Sequence, residues 1–221
     1  MENYKKEFIG FLVKSGAFKF GEFVTKSGRK TPYFINTGLF NSGELIAELG
    51  SYYAKAIVEN NIKVDVLFGP AYKGIPLVVA TAIQLKNLYK INVGFAFNRK
   101  EVKDHGEGGS IIGMKMENKK VLIIDDVITA GTSIRESLEI LKNIEKVDIK
   151  GALISVDRKE KVGTDKFLSK SAADSLGISI RSIVSIDETI IFLYNNDVNG
   201  KRYIDDNQKA EIDRYRKAYG I

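Results

Sequence analysis

Residues 121 to 133 read Val-Leu-Ile-Ile-Asp-Asp-Val-Ile-Thr-Ala-Gly-Thr-Ser, and this stretch restricts the fold more tightly than any other. Val121 to Ile124 are an unbroken run of β-formers after the polar residues Glu117 to Lys120, the pattern of a parallel strand covered on both faces. Ile134, Leu138 and Leu141 then recur at helical spacing, and Thr132 or Ser133 can cap the helix they predict. Between strand and helix, Thr129-Ala130-Gly131-Thr132-Ser133 supplies small side chains, hydroxyl donors and backbone N–H groups at the positive end of a helix dipole. Those are the components of a phosphate cradle.

Asp125 and Asp126 fall just beyond the carboxyl end of this strand, where open α/β sheets place their ligands. Carboxylates repel phosphate, so the pair suits sugar hydroxyls or a hydrated Mg²⁺. Taken alone, an Asp pair after a strand also reads as a Walker B element or a helix cap. The Thr-x-Gly-Thr-Ser that follows shifts the balance, because a cap requires no such loop.

The rest of the chain repeats the same grammar. Tyr4, Phe8, Phe11 and Leu12 predict an opening helix over 4–14. Phe18 to Phe23 alternate aromatic and polar residues, and with Tyr33-Phe34-Ile35 they predict a β-hairpin. Asn41-Ser42-Gly43-Glu44 caps a long helix bearing Leu45, Leu49, Tyr53 and Ile57. Strand 64–68, helix 75–88, strand 92–97, loop 99–112, strand 121–125, helix 133–145 and strand 149–156 follow, then helix 166–177, strand 178–185 and helix 187–196. Such alternation implies a mostly parallel sheet with right-handed crossovers. The fold class expected is therefore α/β, one domain over 1–221 with 1–40 mainly a hood, 41–200 the core and 201–221 a solvated C-terminal helix without chemistry.

Three further segments bear on chemistry. Gly69-Pro70-Ala71-Tyr72-Lys73-Gly74 is a second strand-to-helix loop at the same sheet edge; it is either a tight turn or, with Lys73 among residues that admit close backbone approach, a pyrophosphate loop. Residues 99 to 113 combine Arg99, Lys100, Lys103 and His105 with Gly106, Gly108, Gly109 and Gly113. They read as a solvated charged loop or as a lid that brings cations onto a departing anion and excludes water. Arg158 ends strand 149–156, where it can pair with Asp157 or Glu160, or use its planar fork to read a substrate carboxylate.

Residues 121 to 133 resemble the phosphoribosyl pyrophosphate (PRPP) signature of type I phosphoribosyltransferases. Lys-Ser-Gly-Arg-Lys-Thr-Pro-Tyr-Phe (26 to 34), Gly-Pro-Ala-Tyr-Lys-Gly-Ile-Pro (69 to 76) and Arg-Lys-Glu-Val-Lys-Asp-His-Gly-Glu-Gly-Gly (99 to 109) are similar, in order and spacing, to the orotate phosphoribosyltransferase family. The resemblance implies that family's fold, a mostly parallel sheet flanked by helices beneath a small N-terminal hood of helix and hairpin. It implies PRPP contacts at Lys26, Tyr72, Lys73, Arg99, Lys100, Lys103, His105, Asp125, Asp126, Val127, Ile128, Thr129, Ala130, Gly131, Thr132 and Ser133. Orotate contacts fall at Phe34, Ile35, Thr129 and Arg158, with Lys103, Asp125 and Asp126 as the catalytic residues. Ile35 departs from the family's usual pair of adjacent phenylalanines, which a backbone contact survives and a ring-stacking contact does not. The resemblance further implies Mg²⁺ carried by PRPP without direct protein ligands, and a homodimer whose lid serves the neighbouring site.

Composition narrows the alternatives. The 221 residues contain no cysteine and one histidine, His105, which excludes disulfides, thiolate nucleophiles and His- or Cys-cluster metal sites. Net charge is +6, but acids are interspersed among the bases, so no polyanion track is evident and no nucleic-acid partner is expected. No apolar run approaches the roughly 18 residues that span a bilayer, so a cytoplasmic protein is expected, with no membrane partner. The rival readings are a purine phosphoribosyltransferase and a PRPP-sensing regulator that binds nucleic acid.

Overall fold

The computed structural model describes residues 1–25, 28–103, 109–128, 132–162, 166–167, 173–174 and 176–220, with backbone alone at 101–103, 109, 162, 166 and 167. Helix α1 (Asn3–Lys14) buries Tyr4, Phe8, Phe11 and Leu12, the residues whose spacing predicts it. Strands β1 (Phe18–Val24) and β2 (Lys30–Ile35) pair antiparallel, with an irregularity between Phe20 and Phe23. Ser42 caps α2 (Gly43–Glu59) by accepting the Leu45 N–H at 3.2 Å. Helix α2 packs closely on α3 (Gly74–Tyr89), because Gly50 lies against Ala80: a Cβ there would come within 2.8 Å of the Ala80 backbone.

The main sheet contains β3 (Val66–Gly69), β4 (Gly94–Lys103), β5 (Gly109–Gly113), β6 (Lys120–Val127), β7 (Asp148–Asp157) and β10 (Ile180–Ser185). Its order is β10-β7-β6-β3-β4-β5, parallel except for the antiparallel edge β5. Successive side chains of a strand point to opposite faces, so the central strands split their apolar residues between two cores. Leu67, Leu122, Ile124 and Leu153 join α1, α2, α3 and the hood on one face. Val66, Phe68, Val121, Ile123 and Ile154 meet Ile134, Leu138 and Leu141 of α4 (Thr132–Lys142) on the other. The chain proceeds outward from β3 to β4 on one side and from β6 to β7 and β10 on the other. Adjacent strands β3 and β6 therefore flank the switch point whose carboxyl edge forms a crevice.

Four sequence expectations change. Within the expected loop 99–112 the described residues are strand: β4 runs on to Lys103, and β5 pairs with it at Asn98–Ile111 and Lys103–Gly109, with an irregularity between them. An extended backbone near a sheet edge needs no apolar side chains, so the polar sequence Arg99 to Lys103 carries no alternation to signal it. The expected helix 166–177 is interrupted at its start, where β9 (Lys166–Phe167) pairs antiparallel with β8 (Lys161–Val162). Helix α4 stops at Lys142 rather than 145, and since it begins at Thr132, Ser133 lies inside its first turn, where its hydroxyl donates to Asp125. The C-terminal helix is docked rather than solvated. After α5 (Ile186–Asn195), α6 (Asp206–Tyr219) buries Ile212 and Tyr215, a two-residue apolar face too sparse to stand out among its charges. Among the described residues, no helix is long and apolar enough to cross a membrane.

Candidate active site

The carboxyl end of β6 is fixed by hydrogen bonds on every side. Its backbone carbonyls at Asp125 and Asp126 accept the Tyr53 hydroxyl at 2.7 Å and the Ser155 hydroxyl at 2.6 Å. The Asp125 carboxylate accepts the Asp126 N–H at 2.9 Å and the Ser133 hydroxyl at 2.6 Å. Asp126 accepts the Val127 N–H at 2.7 Å through Oδ1, and the Thr37 hydroxyl at 2.6 Å and Lys73 ammonium at 2.9 Å through Oδ2. Burial pushes the Asp125 carboxyl up to about 6; the Ser133 hydrogen bond opposes that rise and the Asp126 charge adds to it. Val127 is half-buried, Ile128 buried and Thr132 exposed. Thr129, Ala130 and Gly131 lie outside the described residues.

Lys73 comes from the loop after β3, so its bond to Asp126 joins the two junctions that flank the switch point. The loop owes its shape to its two terminal glycines. A Cβ on Gly69 would lie 2.3 Å from the Gly74 carbonyl oxygen, so no other residue fits without moving backbone. Asn98 of β4 holds the middle of the loop, its Oδ1 accepting the Ala71 N–H at 2.8 Å. Tyr72 stands out into solvent at 72% exposure, available to a ligand rather than to the core.

Strand β4 places the remaining predicted cations less closely. Lys100 is 3.7 Å from Glu136 on α4, an exposed pair. Arg99 is half-buried, and its Nε is buried without a hydrogen-bond partner among the described residues. Lys103 ends β4, with its backbone paired to Gly109. Its side chain lies outside the description, as do Lys26 and His105.

On the hood, Phe34 is exposed and stacks on Phe23 at 5.5 Å, while Ile35 is buried. Val127 pairs in register with Val156, so Arg158 leaves the same sheet edge as the β6 turn. Arg158 donates from Nε at 3.1 Å and from Nη2 at 2.7 Å to one oxygen of Glu160, and it lies 5.3 Å over the Tyr33 ring. The pairing with Glu160 weighed from sequence is thus present, but buried rather than superficial. Burial alone would raise the Glu160 carboxyl; Arg158, the Tyr33 hydroxyl and Arg29 outweigh it and hold it below the usual carboxylate range.

Thr37, Asn98 and Ser155 escaped the sequence reading, and Tyr53 entered it only as part of the apolar face of a helix. Each is a lone polar residue in an ordinary segment, and its contacts are long-range. Only Thr37 carried a local signal, since it follows the hairpin that the aromatic alternation predicts.

A phosphoribosyl transferase domain matches residues 39–183. The chain is 49% identical to the orotate phosphoribosyltransferase of Clostridium acetobutylicum and 44% identical to that of Vibrio cholerae, each alignment covering the whole of both chains. The crystal structure of orotate phosphoribosyltransferase from Francisella tularensis superposes with a TM-score of 0.85 at 41% identity, over 97% of this chain and 100% of the other. The chain belongs to the orotate phosphoribosyltransferase family.

Proposed function

We propose that this protein transfers the ribose 5-phosphate group of PRPP to orotate, forming orotidine 5′-monophosphate and pyrophosphate in pyrimidine biosynthesis. The observation that carries the reading is the meeting of two phosphate-type loops at the switch point through Lys73 and Asp126, in a chain similar to orotate phosphoribosyltransferases along its full length. In this reading the turn 129–133 takes the 5′-phosphate, with backbone help from Val127 and Ile128. Asp125 and Asp126 accept the ribose hydroxyls. Lys26, Tyr72, Lys73, Arg99, Lys100, Lys103 and His105 take the pyrophosphate. Phe34, Ile35, Thr129 and Arg158 take orotate.

The reaction needs no covalent nucleophile. A ring nitrogen of orotate forms a bond to C1 of the ribose as the C1–O bond to pyrophosphate breaks, through an oxocarbenium-like state. Asp126 holds Lys73 beforehand, and the ammonium exchanges that carboxylate for the pyrophosphate as charge builds on the departing oxygen. Lys103 adds a second cation there. Asp125 and Asp126 are adjacent, buried, hard-oxygen donors, which suits a hydrated Mg²⁺ carried by PRPP, and that ion would neutralise leaving-group charge.

The hood, core and C-terminal helix act in this reading as one cytoplasmic phosphoribosyltransferase domain. It works as a homodimer in which each lid serves the neighbouring site. Exposed apolar residues such as Ile83 and Leu88 of α3, Phe95 of β4 and Met114 are surface that such a contact could cover. Loss of orotate absorbance on adding PRPP and Mg²⁺ tests the assignment. Turnover of orotate, and not of adenine or hypoxanthine, is expected. Turnover of a purine alone would replace it with the purine reading, and salt-dependent nucleic-acid binding without pyrophosphate release with the regulator.

A further inference from the structure

Glu160 is 2% exposed, and a carboxylate so buried requires partners for both oxygens. Four side chains supply them. Oε1 accepts the Tyr33 hydroxyl at 2.9 Å, the Tyr215 hydroxyl at 3.1 Å and the Nε and Nη2 donors of Arg158. Oε2 accepts Nη2 of Arg29, whose guanidinium lies 5.5 Å over the Tyr215 ring and 4.9 Å over that of Tyr219. The hood, the end of β7 and the C-terminal helix thus converge on one carboxylate.

The main chain is held from the same helix. Arg216 donates from Nη1 to the carbonyls of Arg158 at 3.1 Å and Lys159 at 2.9 Å, and from Nη2 to Asp187 at 2.7 Å. Arg158 is therefore fixed at its backbone, at one edge of its fork and across its face by Tyr33. Glu160 engages the Nε and Nη2 donors, which leaves Nη1 over from that pairing. Charge points the same way. Two guanidiniums share one carboxylate, so the cluster carries one positive charge in excess, and a single carboxylate on a substrate would balance it. A purely structural buried ion pair has no need of that excess, and well-packed apolar residues often replace such pairs without loss.

We propose that Glu160 is a positioning residue for base recognition: held by Tyr33, Arg29 and Tyr215, it fixes the Arg158 guanidinium so that the remaining donors meet the substrate carboxylate. This rests on the orotate reading above. The test is steady-state kinetics on Glu160→Gln, Arg158→Ala, the double variant and Tyr215→Phe, each first shown to melt cooperatively. Misplacing the fork should raise the KM for orotate in Glu160→Gln on the order of 10- to 100-fold, with the KM for PRPP within about twofold of wild type. Tyr215→Phe removes one hydroxyl outside the site, keeps the fold available if Glu160→Gln fails to fold, and should shift the orotate KM alone in the same direction. In the Arg158→Ala background, Glu160→Gln should add nothing, because a residue that acts through another has no separate effect once the other is gone. Additive losses, or equal rises in both KM values, would overturn the positioning role while leaving orotate transfer intact. An Arg158→Ala variant with normal orotate KM would overturn the base contact, and a wild type inert toward orotate would sink both.

Discussion

Replacing Lys73 with Ala separates a functional cation from a structural ion pair. Nζ lies 2.9 Å from Asp126 Oδ2, but the Lys73 side chain is 64% exposed, against 11% for Asp126. A pair open to water on one side contributes about 0.5 kcal/mol. Asp126 is not orphaned by the loss, since Thr37 and the Val127 N–H continue to donate to it. A change of 1 kcal/mol moves the Tm of a domain this size by about 2–4 °C, so the variant should melt only about 1–2 °C lower. Activity should respond very differently. A charge-assisted donor aimed at the departing pyrophosphate is worth about 3 kcal/mol in the transition state, or roughly 100-fold in kcat/KM for PRPP. Calorimetry and the orotate absorbance assay on the same preparation give both numbers. A Tm lower by more than about 6 °C with kcat/KM unchanged would refute the reasoning, because Lys73 would then serve the fold and not the pyrophosphate.

Further outcomes follow from the same geometry. Burial places the Asp125 carboxyl at about 6, so kcat/KM for PRPP should fall as pH drops through that value and the acceptor for the ribose hydroxyls is protonated. Asp125→Asn should lack this acid limb, and an unchanged limb would assign it elsewhere. Lys103→Ala should lose most of kcat while keeping the wild-type melting curve; near-normal turnover would remove the lid residue from the mechanism. Glu160 is held below its ordinary value of about 4.5, so its contribution to stability is present above that pH and is lost as pH falls through the lower folded-state value. The Tm gap between wild type and Glu160→Gln should accordingly be widest near neutrality and close in acid, as melts across that range would show. A constant gap would mean that charge at Glu160 is not what stabilises the cluster.

The parts of the site that the sequence announces are those built from contiguous residues. The junction after β6 is legible because a strand, an acid pair, a small-residue loop and a helix follow one another without interruption. The loop containing Lys73 is legible for the same reason. Residues that act across the chain leave no such trace. Thr37 meets Asp126 across 89 positions and Tyr53 meets Asp125 across 72, and neither neighbourhood differs from an ordinary loop or helix. Glu160 was visible only as a possible neighbour of Arg158. Its bonds to Tyr33 and Tyr215 span 127 and 55 positions, and they convert a surface-type pair into a buried cluster. The fold follows the same division. Strands filled with Val, Ile and Leu stand out because burial on both faces demands apolar side chains. The end of β4 does not, because a strand near the sheet edge places no such demand on Arg99 to Lys103.

A crystal structure with bound orotidine 5′-monophosphate addresses the central claim most directly. The 5′-phosphate is expected among residues 129–133, the ribose hydroxyls on Asp125 and Asp126, and the base carboxylate at Arg158. Finding the nucleotide seated elsewhere, with residues 129–133 empty and Asp126 still bound to Lys73, would contradict this placement.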